Sequence, residues 1–121
     1  TEALLISGNG AHVGYIHYYK GKFNAYQRTY VLDKFKENII YIKYYLDNNL
    51  IYRIMREKKE GNTPYIVLST LTDMKVLLPS LPEQEKIANF LSTFDKKIEL
   101  EKEIIDNWKT LKKGLLQKMF I

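Results

Sequence analysis

Apolar residues recur in steps of four and three along the last third of the chain. Counting from Ile87, the series runs through Leu91, Phe94, Ile98, Glu101, Ile105, Trp108, Lys112, Leu115 and Met119, and eight of these ten positions are apolar. Phe90, Ile104, Leu111 and Leu116 widen the stripe. This spacing predicts one amphipathic helix over residues 82–121. Its start is marked by Ser80 as a cap, Pro82 in the first turn, and Glu83 three residues after Ser80, as in a capping box. A helix of about 40 residues is roughly 60 Å long, more than a domain of this size covers with its own body. The stripe therefore predicts a second long helix, from another copy or another protein. Glu101 and Lys112 interrupt the seam and are placed to pair across an antiparallel dimer, fixing its register.

The first 81 residues carry other patterns. The apolar run Ala3-Leu4-Leu5-Ile6-Ser7 ends at Gly8-Asn9-Gly10, turn chemistry between two strands. Residues 13–19 and 27–32 are rich in β-branched and aromatic residues and are broken by Lys20-Gly21-Lys22, so a small meander of strands is expected. From Ile39 the period changes. Ile39, Ile42, Leu46, Leu50 and Ile54 predict one helix, or two short ones broken near Asp47-Asn48-Asn49. Gly61-Asn62-Thr63-Pro64 reads as a loop, and residues 65–68 and 71–78 as two further short strands, the second stopped by Pro79. The expected class is α+β, with residues 1–81 as one domain and the long helix appended.

Composition narrows the partners. The 121 residues carry 19 Lys and Arg against 14 acids, a net charge of +5. The excess is concentrated in residues 1–81, where 11 basic residues face 7 acids, so an anionic partner is expected there. No cysteine is present, which excludes a disulfide framework and thiolate metal sites and fits a reducing cytoplasm. No signal peptide or apolar run of membrane-spanning length is seen, so no membrane association is expected. Residue 1 is Thr, compatible with a chain that starts inside a longer parent.

No catalytic constellation emerges, and no cofactor or metal is expected. Gly8-Asn9-Gly10 and Gly14 precede strand-like residues, whereas a phosphate-cradling loop needs a helix there. Asn62-Thr63-Pro64-Tyr65 differs at one position from the Asn-Pro-Pro-Tyr motif of amino-methyltransferases, but the chain leaves little room for the doubly wound sheet that a methyl donor needs. His12 and His17 are the only histidines, and no cysteine joins them in a ligand set. The basic and aromatic stretch from His17 to Arg28 says more. Lys20, Lys22 and Arg28 can neutralise phosphates, while Asn24, Gln27 and Arg28 carry the donors and acceptors that read base edges. Ten tyrosines also permit a plainer role, filling a core with their hydroxyls turned outward.

The run Leu78-Pro79-Ser80-Leu81-Pro82-Glu83-Gln84-Glu85-Lys86-Ile87-Ala88-Asn89-Phe90-Leu91-Ser92-Thr93-Phe94-Asp95-Lys96-Lys97-Ile98 resembles the conserved region of the specificity subunits of type I restriction-modification systems. The tail Leu111-Lys112-Lys113-Gly114-Leu115-Leu116-Gln117-Lys118-Met119-Phe120 resembles the close of the long helix there. Residues 6–10, 21–32 and 61–63 are similar to the later half of a target recognition domain, which adds Asn9 and Thr63 to the DNA-contact candidates. The resemblance implies a non-catalytic DNA-reading subunit. Such a subunit binds methyltransferase subunits and a restriction subunit and directs them to a bipartite double-stranded target. Its conserved helices pack as an antiparallel coiled coil between half-sites. On that pattern Ile87, Leu91, Phe94, Ile98, Ile105, Trp108, Leu111, Leu115 and Met119 form the coiled-coil face, used in a homodimer or against the other half of a full subunit. The chain carries one such helix and roughly half a recognition domain. The competing expectation is a regulatory coiled-coil protein that captures methyltransferase subunits without reading DNA.

Overall fold

The computed structural model describes residues 2–10, 12–22, 29–57 and 65–120. Three strands, β1 (Glu2–Ser7), β2 (Ile16–Lys20) and β3 (Thr29–Asp33), are followed by helices α1 (Ile39–Glu57), α2 (Leu68–Thr72) and α3 (Leu81–Met119). The class is α+β. The chain divides into two compact units, Thr1–Ala88 and Asn89–Ile121.

The sheet is antiparallel in the order β2-β1-β3, not the meander expected. β1 lies in the centre, with Leu4 opposite Tyr18 on one side and Leu32 on the other. Its composition explains the placement. Ala3, Leu4, Leu5 and Ile6 form an unbroken apolar run, with Leu4 and Ile6 buried on one face and Leu5 half-buried on the other, which suits a strand inside a sheet better than one at its edge. Leu4, Ile6 and Ile16 point from the sheet into the core, where they meet Tyr41, Ile42, Leu46, Leu50 and Ile54 of α1 together with Ile66 and Ala88.

The connection from β1 to β2 is longer than a two-residue turn. The Gly14 N–H donates to the Ser7 carbonyl at 2.8 Å, the Ser7 N–H to the Tyr15 carbonyl at 3.0 Å, and the Val13 N–H to the Gly10 carbonyl at 3.2 Å. Gly14 has φ +84°, and a Cβ there would lie 2.9 Å from Ile54 Cδ1. The backbone conformation favours glycine at this point, and any larger residue would also have to displace the end of the Ile54 side chain.

α1 is one helix of 19 residues. Asp47 and Asn49 do not break it because each finds a partner one turn back. Lys43 Nζ donates to Asp47 Oδ2 at 2.8 Å, and Asn49 Nδ2 to the Tyr45 carbonyl at 2.8 Å. Buried Leu46 and Leu50 anchor the turns on either side.

Residues 65–79 overturn the two short strands expected there. Tyr65 makes only an isolated bridge with Asn9, residues 68–72 form the single turn α2 with Asp73 as its C-cap, and residues 74–79 belong to no strand or helix. Tyrosine hydroxyls take the place of a sheet ladder. Tyr41 donates to the Leu77 carbonyl at 2.6 Å, Tyr45 to the Lys75 carbonyl at 3.3 Å, and Tyr30 to the Ile66 carbonyl at 2.9 Å. At the other end of α1, Arg53 Nε donates to the Thr70 carbonyl at 2.6 Å and buried Thr70 Oγ1 donates to Glu57 Oε2 at 2.6 Å.

α3 begins at Leu81, with Pro82 in its first turn and the Gln84 N–H donating to the Ser80 carbonyl at 2.9 Å. Gln84 is fully buried. Its Oε1 accepts the Asn38 N–H at 3.0 Å, and its Nε2 donates to Glu37 Oε2 at 2.6 Å and to the Pro79 carbonyl at 2.9 Å. Asn38 in turn caps α1, with Oδ1 accepting the Tyr41 N–H at 2.9 Å. One buried amide thus ties the start of α3 to the start of α1.

Candidate nucleic-acid interface

β2 carries the basic stretch to its last residue. Successive side chains alternate between faces, so Ile16 and Tyr18 turn toward the core while His17 and Tyr19 share the outer face, their ring centroids 6.1 Å apart. Lys20 closes the strand and Lys22 follows Gly21, and both lysines are exposed. Lys20 stands opposite Glu2, so its charge has an acid beside it. Glu2 Oε1 also accepts the Tyr18 hydroxyl at 2.9 Å. That bond, with desolvation and the Glu2 charge, raises the Tyr18 pKa above the usual phenol value.

The structure does not bring all the candidate DNA contacts together. Asn9 is exposed beyond the far end of β1, bridged to Tyr65, whereas Lys20 pairs with the first residue of that strand. Glu2 and Ser7 are separated by about 17 Å of extended chain. Asn24, Gln27, Arg28 and Thr63 lie outside the described residues. His12 and His17 are exposed, and among the described residues no group of three or more His, Asp or Glu is arranged to hold a metal ion.

A second basic surface was not apparent from the sequence. Tyr45, Asn49, Tyr52 and Arg56 recur on one face of α1, with Arg53 beside them, and together with Asp73 and Lys75 they line a cleft of about 360 Å³. Arg56 and Lys75 are exposed. The signal was present as a polar helical face with steps of four, three and four, but the core stripe on the same helix dominated the pattern.

The apolar stripe of α3 is open along residues 89–120, where no described residue is buried. Trp108 is 65% exposed and Met119 72%, and Phe94, Ile98, Ile105, Leu111 and Leu115 are each about half exposed, while Leu91 is half-buried and Ile87 partly exposed. Phe90 and Phe94 pack edge to face at 5.1 Å, a contact within one helical turn that leaves their outer edges uncovered. Among the described residues no helix is long and apolar enough to cross a membrane.

Comparison with known proteins agrees with the resemblance read from residues 78–98. Residues 1–109 match the family described as the type I restriction modification DNA specificity domain. The type I restriction enzyme EcoDI specificity subunit of Escherichia coli is 39% identical over 102 residues, covering 84% of this chain and 22% of that protein. A protein of Methanocaldococcus jannaschii described as a putative type I restriction enzyme MjaX specificity subunit is 33% identical over 101 residues, covering 84% of this chain and 21% of that protein. The chain thus spans about a fifth of the length of these curated relatives. No solved structure matches it.

Proposed function

This chain belongs to the type I restriction-modification DNA specificity family, and from that membership we propose that it acts as a sequence-recognition component of such a system. In this reading residues 1–81 are part of a target recognition domain and residues 82–121 a spacer and dimerisation helix. The chain performs no catalysis and needs no cofactor. It directs methyltransferase and restriction subunits to a bipartite double-stranded target, in the cytoplasm. The match over residues 1–109 is the observation that carries the reading, since it takes in both the basic unit and most of the helix.

The exposed seam supports the pairing half of the proposal. Covering Leu91, Phe94, Ile98, Ile105, Trp108, Leu111 and Leu115 contributes roughly 1.5–3 kcal/mol per fully buried side chain, much of it offset by ordering and lost rigid-body freedom. An antiparallel partner helix, from a second copy or the other half of a full subunit, supplies the cover. In that geometry Glu101 and Lys112 pair across the seam.

For DNA contact the proposed residues are Lys20, Lys22 and Arg28 on phosphates, with Asn9, Asn24, Gln27 and Thr63 near base edges. The test is duplex binding by the chain in complex with its methyltransferase subunits, measured against salt. Alanine at Lys20, Lys22 or Arg28 is expected to flatten the slope of log affinity against log salt by about 0.9 for each phosphate left without its cation. A complex that assembles but shows no salt-dependent duplex affinity refutes the reading and leaves a partner-capturing coiled-coil protein in its place.

A further inference from the structure

The cleft on α1 is built in a way that a solvated charged face is not. Tyr45, Asn49, Tyr52 and Arg56 follow the helical repeat, so their side chains rise in one row, and residues 73–75 form the opposite wall. That wall is fixed from both ends. Tyr45 holds the Lys75 carbonyl at 3.3 Å, and the Asp73 N–H donates to the Ser69 carbonyl at 3.0 Å. The Arg53 guanidinium braces the floor, with Nε on the Thr70 carbonyl at 2.6 Å and 3.4 Å from Glu57 Oε1. Arg53 is therefore committed to structure. Arg56 and Lys75 are different, since both are exposed and neither forms an ion pair with a described residue.

The chemistry of this row fits a phosphodiester backbone. Two cations supply charge, Asn49 and the 66%-exposed Tyr52 supply neutral hydrogen-bonding groups, and the one acid of the cleft, Asp73, is outnumbered. Contacts of this kind fix register on a duplex without reading sequence. The location fits as well. Ile54 meets Gly14, and Glu57 bonds Thr70, so the C-terminal end of α1 lies at the end of the sheet from which Asn9 emerges, away from Lys20.

We propose that the cleft lined by Asn49, Tyr52, Arg56 and Lys75 holds the sugar-phosphate backbone of the DNA duplex, as a contact separate from Lys20 and Lys22. The proposal rests on the DNA-recognition reading above. Helix α1 has a simpler use for Arg56, because a cation in the last turn offsets the negative end of the helix dipole. That role changes stability and leaves salt dependence alone.

The experiment compares Arg56→Ala/Lys75→Ala with Lys20→Ala/Lys22→Ala, each in the full chain bound to its methyltransferase subunits, on a mixed-sequence duplex across a salt series. The cleft variant is expected to flatten the slope by about 1.8, two phosphates at about 0.9 each, with thermal midpoint and subunit binding unchanged. If the Arg56 change costs folding, Lys75→Gln alone tests the cleft, with about 0.9 expected. An unchanged slope in the cleft variant beside a flattened slope in the Lys20/Lys22 variant overturns the cleft proposal and leaves the DNA reading standing. Failure of the cleft variant to bind the subunits, with its thermal midpoint unchanged, makes the cleft a protein interface and also overturns it. No duplex binding by any version removes both.

Discussion

The side-chain amide of Gln84 offers two donors and two acceptor positions, and Asn38, Glu37 and Pro79 occupy three of them in a fully buried setting. Gln84→Leu keeps the volume and removes every bond, leaving the Asn38 N–H without its partner. A loss of about 1–3 kcal/mol in urea unfolding is expected, the usual cost of stranding buried polar groups. Spacing alone does not mark this residue. A glutamine in a charged first turn reads as surface, and nothing in the sequence singles it out from its neighbours. Tyr41 makes a second case. Burial, with a smaller contribution from Tyr45, raises its pKa above the usual phenol value near 10. In the unfolded chain the phenol ionises at its ordinary pKa, so the stability it contributes is complete below about pH 10 and is lost as pH rises through the folded value. Tyr41→Phe should therefore lower stability at neutral pH by about 0.5–1.5 kcal/mol, the worth of a hydrogen bond, and make the alkaline fall of the thermal midpoint shallower.

At the scale of elements, legibility follows the source of the hydrogen bonds. α1 and α3 satisfy their backbones internally, so the apolar period locates both, with Ser80 and Pro82 marking where α3 starts, and Ile42, Leu46, Leu50 and Ile54 are buried as that period requires. β1 carried its central position in an unbroken apolar run, a signal that the expectation of a meander passed over. Residues 65–79 read as strands because an apolar, β-branched stretch looks the same in sequence whether its carbonyls meet a strand or a phenol. Nothing local in residues 71–78 shows that Tyr41 and Tyr45, more than 25 residues earlier, provide the partners. The basic cleft was obscured for a related reason, since Lys75 joins the α1 row only through that long-range clamp. Glycine chemistry is legible only in part. Gly10 of the Gly8-Asn9-Gly10 turn has φ +82°, as a turn glycine should, but nothing local marks Gly14, which combines φ +84° with the contact with Ile54. Gly14→Ala is expected to cost at least about 1–2 kcal/mol from backbone conformation alone, with displacement of Ile54 adding to it. Thermal unfolding checks the size, and faster hydrogen exchange at Ser7 and Gly14 checks the place.

For the whole molecule, the unit at residues 89–121 raises a question of solubility that the other unit does not. Its described residues include no buried side chain, yet they carry Phe90, Phe94, Ile98, Ile104, Ile105, Trp108, Leu111, Leu115 and Leu116. A lone helix gains too little from its own hydrogen bonds and intrahelical contacts to keep such a stripe in water, so helicity there should depend on association. Under the proposed pairing the stability of this segment is linked to chain concentration, and its melting should move upward with concentration by mass action. Unfolding of residues 1–88, with a core of their own, should show no such dependence. Ile98→Lys with Ile105→Lys places two cations in the seam, where covering them without partners is costly. Sedimentation equilibrium of that variant is expected to give a monomer at concentrations where the unaltered chain dimerises, with helical content lower by the share of α3 and the tyrosine-rich core melting as before. If the unaltered chain is monomeric and fully helical at every concentration, self-pairing is ruled out, and the cover for the stripe has to come from a different polypeptide.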